Sequence, residues 1–380
     1  MKILFVSMPS IHVIRWIENL KDTHYELYWF DVLNRGRLET IDSVKQFTGW
    51  HERKLSYIKG EYFLRKKMPD LFQIFSPYLE INANEALENI ILEIKPDIVH
   101  SFEMQSCSYP ILKTMLKYPK LKWLYSCWGN DLYYYMNFKA HNSKIKNVLK
   151  RVDYLHTDCR RDFDLAKKLG FTGKYLGVVP GGTGYKLNEL NEFKMPVSKR
   201  KIILVKGYEH HLGRGLNIVK ALHLVQKEIE SYQVIVFGSH PQIIDYIKKN
   251  DLNFGFFERH ELSHDSLTKL MGEALLYIGN SISDGMPNTL LEAIVMGAFP
   301  IQSNPGVATE ELITDGENGF LISDPESVLE IKEIVLKALS NLKLVETATV
   351  KNEKIALEKL DYSDNQLKVI EMYKTVLKCE

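Results

Sequence analysis

The sequence lacks the features of membrane, secreted and metal-stapled proteins. Nowhere do about 18 uncharged apolar residues follow one another, which excludes a transmembrane helix. The apolar run at residues 3–6 is too short for a secretory signal and leads into a charged amphipathic stretch, so we expect a retained, buried strand. The only four cysteines (Cys107, Cys127, Cys159 and Cys379) are widely scattered without a CxxC spacing, which argues against a disulfide framework and a structural zinc. A reducing cytoplasm fits this pattern best.

Low-complexity tracts and fixed-period repeats are also absent, and the composition is that of a globular enzyme. The 380 residues are 45% hydrophobic and 26% charged, and a chain of this length exceeds what one core usually organises, so we expect two domains. The formal net charge is only +1, and we expect no nucleic-acid partner. The halves differ, however: residues 1–187 carry 28 Lys and Arg against 20 Asp and Glu, and the remainder carries 21 against 28.

Short apolar runs alternate with amphipathic ones along both halves of the chain. This alternation predicts α/β architecture with parallel sheets, that is, two doubly wound, Rossmann-like units. The polar stretch 187–199 is interpreted as a linker between a domain at 1–190, joined by a terminal helix at 362–380, and a domain at 198–361. Within the second domain we expect helices at 216–230 and 243–249. Ligands of such sheets bind at the carboxyl ends of the strands.

The segment 281–303 (SISDGMPNTLLEAIVMGAFPIQS) carries the strongest chemical signal. Pro287 suits the first turn of a helix, so the free amides of a helix amino terminus should face the preceding loop and favour an anion such as phosphate. Glu292 interrupts the apolar helix on the face of Asn288 and Thr289, where its carboxylate could bridge two vicinal hydroxyls such as those of a ribose. The alternative from spacing alone is that Glu292 is a surface position.

The same segment resembles the acidic motif of the family-4 retaining glycosyltransferases (glycosyl transferases group 1), in which two Glu are separated by seven residues. Here the two acids are Asp284 and Glu292, and Pro305–Ile322 resembles the family's next segment. The resemblance covers nearly all of residues 200–335. It implies a GT-B fold, in which two Rossmann-like domains face each other across a cleft and the terminal helix packs on the first. It also implies that the second domain holds a nucleotide sugar without a metal.

The resemblance implies a role for each matching residue. Glu292 would bind the donor ribose, and Asp284 with the neighbouring backbone would bind the donor sugar. The first acid is Asp instead of Glu, one methylene shorter, and a displacement of about 1 Å can cost roughly 10²-fold in rate where it spoils a reactive geometry. The donor-binding residues implied by the motif are Glu292, Gly285, Met286, Pro287, Asn288 and Thr289.

Two cations resemble the family's basic pair that faces the donor diphosphate. Lys206 ends a predicted strand and Arg214 begins a predicted helix, where fixed positive charge would stabilise a leaving diphosphate. In the family this pair has the residue types swapped and a shorter intervening loop. Phe257 lies where the family usually contacts the base, and either stacks on it or belongs to the core. Solvated charges on a mobile loop are the alternative for the pair.

The first domain offers candidates for the acceptor side. His12 and Arg15 are three residues apart and would share a helix face behind a loop that lacks the family's usual Gly. Two predicted strand ends resemble the family's acceptor-lining segments. They carry His100 and Asp131 as catalytic candidates, with capping as the alternative for Asp131, and Glu103, Trp128 and Gly129 as acceptor-side candidates.

Basic stretches in the first half raise the possibility of a membrane partner. Arg53-Lys54, residues 64–69 and residues 139–151 are interleaved with Tyr and Phe, and such a surface could sit on anionic lipid. Ordinary solvated helix faces explain the same residues. The hypothesis places the protein in the cytoplasm, at the inner face of the membrane, with a carbohydrate or lipid-linked acceptor.

These observations together predict a retaining glycosyltransferase of the hexosyltransferase class, acting in cell-surface polysaccharide or glycolipid synthesis. The expected donor is a UDP-sugar, and neither a cofactor nor a metal is expected. The alternatives are a non-catalytic nucleotide-sugar-binding partner of a glycosyltransferase complex and a nucleotide-sugar epimerase of the same fold.

Overall fold

Runs such as KILFVS, whose residues 3–7 are all buried, form the first sheet, since parallel strands covered by helices on both faces read as continuous apolar runs. The structure is a computed structural model that describes residues 1–378. The strands of the first sheet are β1 (Lys2–Ser7), β2 (Glu26–Asp31), β3 (Lys45–Phe47), β4 (Ile98–Phe102), β5 (Lys122–Cys127), β6 (Tyr154–Thr157) and β7 (Lys174–Val178). Their order across the sheet is β3-β2-β1-β4-β5-β6-β7, and β1 pairs in parallel with both β2 and β4.

Local capping explains where two of the helices that accompany the first sheet begin. The first helix starts after Ser10, whose hydroxyl accepts from the His12 amide, and the fourth starts with a reciprocal capping box between Asn82 and Glu85. The helices are α1 (Ile11–Glu18), α2 (Glu61–Lys67), α3 (Pro69–Leu79), α4 (Ala83–Ile94), α5 (Leu112–Lys117), α6 (Asn130–Tyr133), α7 (Lys139–Arg151) and α8 (Arg160–Lys168).

The second half of the chain repeats the pattern with six strands. They are β8 (Ile202–Lys206), β9 (Gln233–Ser239), β10 (Phe254–Glu258), β11 (Ala274–Gly279), β12 (Phe299–Ser303) and β13 (Phe320–Ile322). Their order is β10-β9-β8-β11-β12-β13, and β8 pairs in parallel with β9 and β11.

Helices again connect these strands. They are α9 (Leu187–Leu190), α10 (Gly215–Leu224), α11 (Pro241–Lys249), α12 (His264–Glu273), α13 (Asn288–Met296), α14 (Val328–Leu339), α15 (Leu342–Ile355) and α16 (Tyr362–Lys378). α13 stops at Gly297, whose φ of 73° is readily adopted only without a side chain. Across residues 1–378, no helix is at once long and apolar enough to cross a bilayer.

The chain divides into two units, each with its own sheet. Unit 1 comprises Met1–Thr157, Phe163–Gly177 and the end of the chain from Ile370, and unit 2 comprises Asp158–Asp162 and Val178–Val369. The terminal helix α16 has the bounds expected from its periodicity, but only its second half belongs to unit 1. The division after Gly177 precedes the polar stretch that was expected to separate the domains.

That polar stretch, 187–199, is folded onto unit 2. It holds α9 and two short 3₁₀ turns, and the Met195 amide donates to the Gly272 carbonyl at 3.0 Å. Gly272 tolerates no side chain, because an added Cβ would sit 2.1 Å from the Phe193 carbonyl oxygen. The predicted linker is therefore a packed segment whose polar side chains face outward.

α10 is shorter than its apolar periodicity predicted. The helix ends at Leu224, and residues 225–230 form turns, yet Val225 and Ile229 are buried. Apolar positions at helical spacing continue through these turns, which explains the overextended prediction.

A buried polar network ties the terminal helix into unit 1. The Tyr373 hydroxyl lies 2.8 Å from Trp16 Nε1, which donates to it, and 2.6 Å from His100 Nδ1. His100 Nε2 lies 2.7 Å from the Ser126 hydroxyl, which in turn lies 2.9 Å from His156 Nδ1. Each of the five residues in this hydrogen-bond network is at most 2% exposed, so each polar group depends on the others for its hydrogen bonds.

We expect Tyr373→Phe to destabilise the protein by about 1–3 kcal/mol, because the substitution leaves a buried Trp16 N–H and a His100 ring nitrogen unsatisfied. Urea unfolding measures the loss. Tyr78→Phe, at a side chain that is 72% exposed, is the matched control and should change nothing measurable. Equal stabilities of the two variants would contradict a network that holds the terminal helix.

Candidate functional site

In the sheet of unit 2, the strands that follow β8 in sequence lie first on one side of it (β9, β10) and then on the other (β11 to β13), so the strand order reverses between β8 and β11. In a doubly wound sheet this reversal opens a crevice at the carboxyl ends of the two strands, which is where ligands bind. Lys206 is the last residue of β8, and the segment after β11 runs from Asn280 to the start of α13. The predicted basic and acidic motifs therefore meet at the place where the topology favours a site.

The loop before α13 presents backbone amides and one carboxylate. Asp284 is partly exposed and its Oδ1 accepts from the Gly285 amide at 3.0 Å. Pro287 is the residue that precedes the helix instead of its first residue, and its carbonyl accepts from Leu290 at 3.0 Å. The Thr289 hydroxyl lies 2.8 Å from the Tyr277 hydroxyl, which anchors the first turn of α13 to β11.

Glu292 lies one turn further along α13 and is buried, with 7% exposure. Its Oε1 is 2.9 Å from Nε2 of His264, the first residue of α12, whose side chain is half exposed. The surface alternative for Glu292 is thus excluded, since a buried carboxylate needs a polar partner. Sequence reasoning missed His264, because nothing in its local pattern indicates that α12 begins beside α13.

Lys206 faces the same loop. Its ammonium is 4.0 Å from Asp284 Oδ2 and 4.9 Å from the ring centroid of Tyr208, over which the Arg259 guanidinium also lies at 5.7 Å. Only 17% of the Lys206 side chain is exposed. A largely buried cation beside the loop that leads into a helix amino terminus is an arrangement that attracts phosphate.

Arg214 lies nearby but is engaged elsewhere. Its amide donates to the Asn280 carbonyl at 3.0 Å, which places it at the end of β11. Its guanidinium pairs with Glu326 and donates to the His210 carbonyl at 3.0 Å. In this structure the side chain braces the loop between β8 and α10. A contact between Arg214 and a diphosphate would require it to exchange Glu326 for the ligand.

Phe257 is the weakest of the predicted donor residues. It lies near the end of β10, is half-buried and packs against the apolar cluster that contains α13. This packing is enough to explain why an aromatic residue stands at position 257, and no stacked base is needed to explain it.

Asp158 is a site residue that sequence reasoning missed. It follows β6 of unit 1, belongs to unit 2 and is 8% exposed. Its Oδ2 accepts from the Met286 amide at 3.2 Å, and none of the described residues hydrogen-bonds to its Oδ1. A Cβ on Gly285 would sit 2.5 Å and 2.7 Å from the two carboxylate oxygens, so any larger residue there would force the Asp158 carboxyl group to move. The carboxyl group therefore holds the very backbone that the motif assigns to the donor sugar.

Residues 159–162, the rest of the short segment that joins unit 2 together with Asp158, support the loop after β12. Arg161 donates to the Pro305 carbonyl at 2.6 Å and pairs with the buried Asp162 at 2.8 Å. Burial and Asp162 together with Asp158 raise the pKa of the Cys159 thiol. Within residues 1–378, Asp158, Cys159 and Asp162 form the one group whose potential metal-ligating atoms lie within 4.8 Å of one another, but Arg161 already compensates Asp162.

In unit 1 the chain order reverses between β1 and β4, and the predicted acceptor-side residues lie near these strand ends. The rings of His12, on α1, and Trp128 are 5.1 Å apart between centroids. Gly129 has a φ of 86°, which turns the chain into α6. Arg15 is half-buried one turn along α1 from His12.

Glu103 follows β4 directly and has an uncommon backbone, with φ 64° and ψ 144°. Such conformations in residues other than glycine often occur at functional sites. Its carboxylate accepts from the amides of Gln105 and Ser106 at 2.8 and 2.6 Å. Burial, and the nearby Asp131, raise the pKa of Glu103 to about 7.

Asp131 and His100 differ from their predicted catalytic roles. Asp131 is 1% exposed and accepts from the Tyr125 hydroxyl and, at 3.0 Å, from the Trp128 amide, so it fixes the turn before α6 as the capping alternative required. His100 is fully buried with both ring nitrogens hydrogen-bonded, and burial lowers its pKa well below the usual range. We therefore assign both residues structural roles. The predicted strand-end position of His100 is also wrong, because His100 lies in the middle of β4 with its side chain in the core.

The buried Asp158 gives a testable pH dependence. Burial, reinforced by Asp162, raises its pKa well above 3.8, so the folded protein binds a proton that the unfolded chain releases. Its contribution to stability is complete below the unfolded value of about 3.9 and is lost as pH rises toward the folded value.

Asp158→Asn keeps the shape but cannot ionise. Its stability relative to the parent should therefore increase as pH rises from about 4 toward the alkaline side. Thermal unfolding across this range measures the difference, and Asp164→Asn, at an exposed position of α8, is the control that should show no trend. A flat or falling difference for Asp158→Asn would mean that the carboxyl is ionised in the folded state.

Comparisons with known proteins agree with this arrangement. A family model for glycosyl transferases group 1 matches residues 188–354, and a glycosyl transferase 4-like model matches residues 2–158. An uncharacterized glycosyltransferase of Methanocaldococcus jannaschii is 26% identical over 129 residues, which are 33% of this chain and 32% of that protein. The match thus spans about a third of the length of that curated relative.

Solved structures match over the whole chain. Sucrose-phosphate synthase from Thermosynechococcus elongatus has a TM-score of 0.72 at 14% identity, with 100% of both chains covered. HepE from Anabaena, in complex with UDP and glucose, has a TM-score of 0.68 at 14% identity, with 99% of this chain and 100% of that chain covered. A glycosyltransferase from Rickettsia africae has a TM-score of 0.66 at 16% identity, with 100% and 99% covered.

At such identities these structures show the fold, and the predicted GT-B architecture is confirmed. The two family models account for the halves of the chain on either side of the stretch 159–187. The chain therefore belongs to the group 1 glycosyltransferases, a family of enzymes, with a glycosyltransferase 4-like first half.

Proposed function

We propose that this protein transfers a sugar from a nucleotide-sugar donor to an acceptor hydroxyl, with the donor bound by unit 2. The observation that carries the proposal is the convergence of Lys206, the Asp284–Met286 loop and Glu292 at the carboxyl ends of β8 and β11. These groups supply a cation, backbone amides that a ligand could take over from Asp158 and Asp284, and a buried carboxylate, which match a diphosphate, a sugar and a ribose. HepE, which shares the fold, has been solved with UDP-glucose.

The donor site divides into three parts along α13. The amino-terminal amides and Lys206 face the diphosphate, where they would stabilise negative charge on the leaving group without a metal. Asp284 and the Met286 amide face the sugar. Glu292 accepts hydrogen bonds from the ribose hydroxyls. We propose a UDP-hexose as donor.

Two contacts of the structure must change when such a donor binds. His264 lies against Glu292, and Asp158 occupies the Met286 amide. The ribose would share or displace the first contact, and the sugar would replace the second. Exchange of one hydrogen bond for another costs little, whereas a group left unpaired in a buried site costs more, so this arrangement favours ligands that restore both contacts.

We assign acceptor binding to unit 1, through His12, Trp128 and Glu103. Retention of configuration follows if the acceptor attacks the face from which the phosphate leaves and the leaving phosphate takes the hydroxyl proton. Glu103, with a pKa near 7, would accept a hydrogen bond from the same hydroxyl and orient it. We propose a carbohydrate or lipid-linked acceptor in the cytoplasm, used in cell-surface polysaccharide or glycolipid synthesis.

The direct test is a screen of nucleoside diphosphates and their sugars by thermal shift, followed by transfer to mixed acceptors. A bound ligand raises the unfolding temperature with the logarithm of its saturation. We expect UDP and a UDP-hexose to stabilise the protein and the product to keep the donor's anomeric configuration on NMR. Stabilisation without transfer to any acceptor would instead indicate a non-catalytic binder, and no stabilisation by any nucleotide would refute the proposal.

Glu292→Ala should weaken UDP binding by about 1.5–3 kcal/mol, or roughly 10- to 150-fold in Kd, because it removes charge-assisted hydrogen bonds to the ribose. Isothermal titration calorimetry provides the measurement.

Two controls accompany this variant. His264→Ala removes the neighbour of Glu292 but leaves the carboxylate, so UDP affinity should change far less than in Glu292→Ala. Glu346→Ala, at an exposed position of α15, should bind like the parent. An unchanged Kd in a folded Glu292→Ala protein would place the ribose elsewhere.

A further inference from the structure

An unusual share of the exposed apolar surface lies in one short segment of unit 1. Twenty-two large hydrophobic side chains are exposed among the described residues, and nine of them belong to residues 55–78, around α2 and α3. We call residues 54–78 the hairpin surface. Single exposed apolar residues are ordinary, but a contiguous apolar patch marks a binding surface. The nine are Leu55, Tyr57, Ile58, Tyr62, Phe63, Met68, Ile74, Phe75 and Tyr78.

The hairpin surface is held by ion pairs that lie beneath it. Glu61 is 4% exposed and accepts from Arg53 at 2.5 and 2.8 Å, and Glu80 is 8% exposed and pairs with Arg53 and Arg65. The Arg65 guanidinium also lies 4.7 Å from the ring centroid of Phe72, the buried aromatic of α3. The apolar side chains are therefore displayed by a braced scaffold, and their exposure does not come from a frayed segment.

These ion pairs also determine the sign of the exposed charge. Both Glu61 and Glu80 are buried and Lys54 pairs with Glu85, whereas Lys59, Lys66 and Lys67 are exposed. The hairpin surface thus combines aromatic and aliphatic side chains with a positive rim.

The other basic stretch of unit 1 is different. α7 carries Lys144, Lys146 and Lys150 on its exposed side, but its apolar residues Ile145, Val148 and Leu149 are fully buried. α7 is an ordinary solvated helix face. Charge alone therefore does not distinguish the hairpin surface, and the exposed aromatic residues do.

We propose that the hairpin surface binds the anionic surface of a lipid bilayer. Tyr and Phe side chains insert at the level of the lipid headgroups, and Lys side chains around them attract anionic lipid. A second copy of this chain fits less well, because two such surfaces would bring like charges together. The proposal is independent of the glycosyl-transfer proposal, since it involves none of the donor-site residues.

Flotation with lipid vesicles tests the proposal on the full chain. Vesicles of phosphatidylcholine alone are compared with vesicles that also contain phosphatidylglycerol, at low and at high salt. We expect the protein to float only with the anionic vesicles and less at high salt, because screening weakens the attraction. If the protein stays with the soluble fraction at low salt with anionic vesicles, the proposal is wrong.

Three double variants identify the surface. Phe63→Ser with Ile74→Ser removes apolar area, and Lys66→Ser with Lys67→Ser removes two charges. Each should raise the lipid concentration for half-maximal binding by about tenfold or more, given typical contributions of such residues. Lys146→Ser with Lys150→Ser removes the same charge from α7 and is the matched control, which should bind like the parent.

The remaining outcomes also decide the question. Equal losses in the α7 control and in the Lys66/Lys67 variant would show attraction by net charge alone, which overturns a specific surface. Analytical ultracentrifugation of the parent and of the Phe63/Ile74 variant covers the protein-partner alternative. A parent dimer that dissociates in that variant would assign the hairpin surface to an interface between copies. UDP binding by every variant confirms that the donor site is folded and keeps this test separate from that of the proposed function.

Discussion

The donor loop depends on one buried contact, the hydrogen bond from the Met286 amide to Asp158 at 3.2 Å. A carboxyl group this deeply buried needs a donor, and Gly285, which has no side chain, leaves room for the carboxyl group in its present position. The contact draws residues 158–162 into unit 2, although the strand before them and most of α8 after them belong to unit 1. The same segment also holds the loop after β12, since the Arg160 amide donates to the Glu311 carboxylate and Arg161 donates to the Pro305 carbonyl. The loops that surround the donor site are thus braced together from one short segment.

This bracing explains how a site built from loops can be positioned well. Lys206 and the amino terminus of α13 are fixed by the sheet, since β8 and β11 are adjacent and parallel. The Asp284–Met286 loop between them has no regular structure of its own and depends on Asp158. The shorter acid at position 284 is consistent with this close support, because Lys206 lies 4.0 Å from its carboxylate.

Much of the fold was predictable from the sequence because its periodicities are strong. KILFVS, KIILVKG and YQVIVFG are buried strands, and the terminal helix spans Tyr362–Lys378 as its apolar spacing indicates. Boundaries were less predictable where burial continues through irregular backbone, as in residues 225–230. Within the site, Glu292 and Asp284 were identifiable from one local motif. Asp158 and His264 were not, because Asp158 reaches the loop before α13, and His264 reaches α13 itself, from more than twenty residues away in sequence. His100 shows the converse error: the motif placed it at a strand end, whereas it lies inside β4 with its side chain in the core.

The central claim is that the start of α13, with Lys206 beside it, is where a nucleotide sugar binds. Amide hydrogen exchange with and without saturating UDP tests this claim residue by residue. The account predicts that UDP slows exchange most at residues 285–292 and around residues 206–208. Slower exchange confined to unit 1, or an α13 amino terminus that exchanges at the same rate with UDP bound, would contradict it.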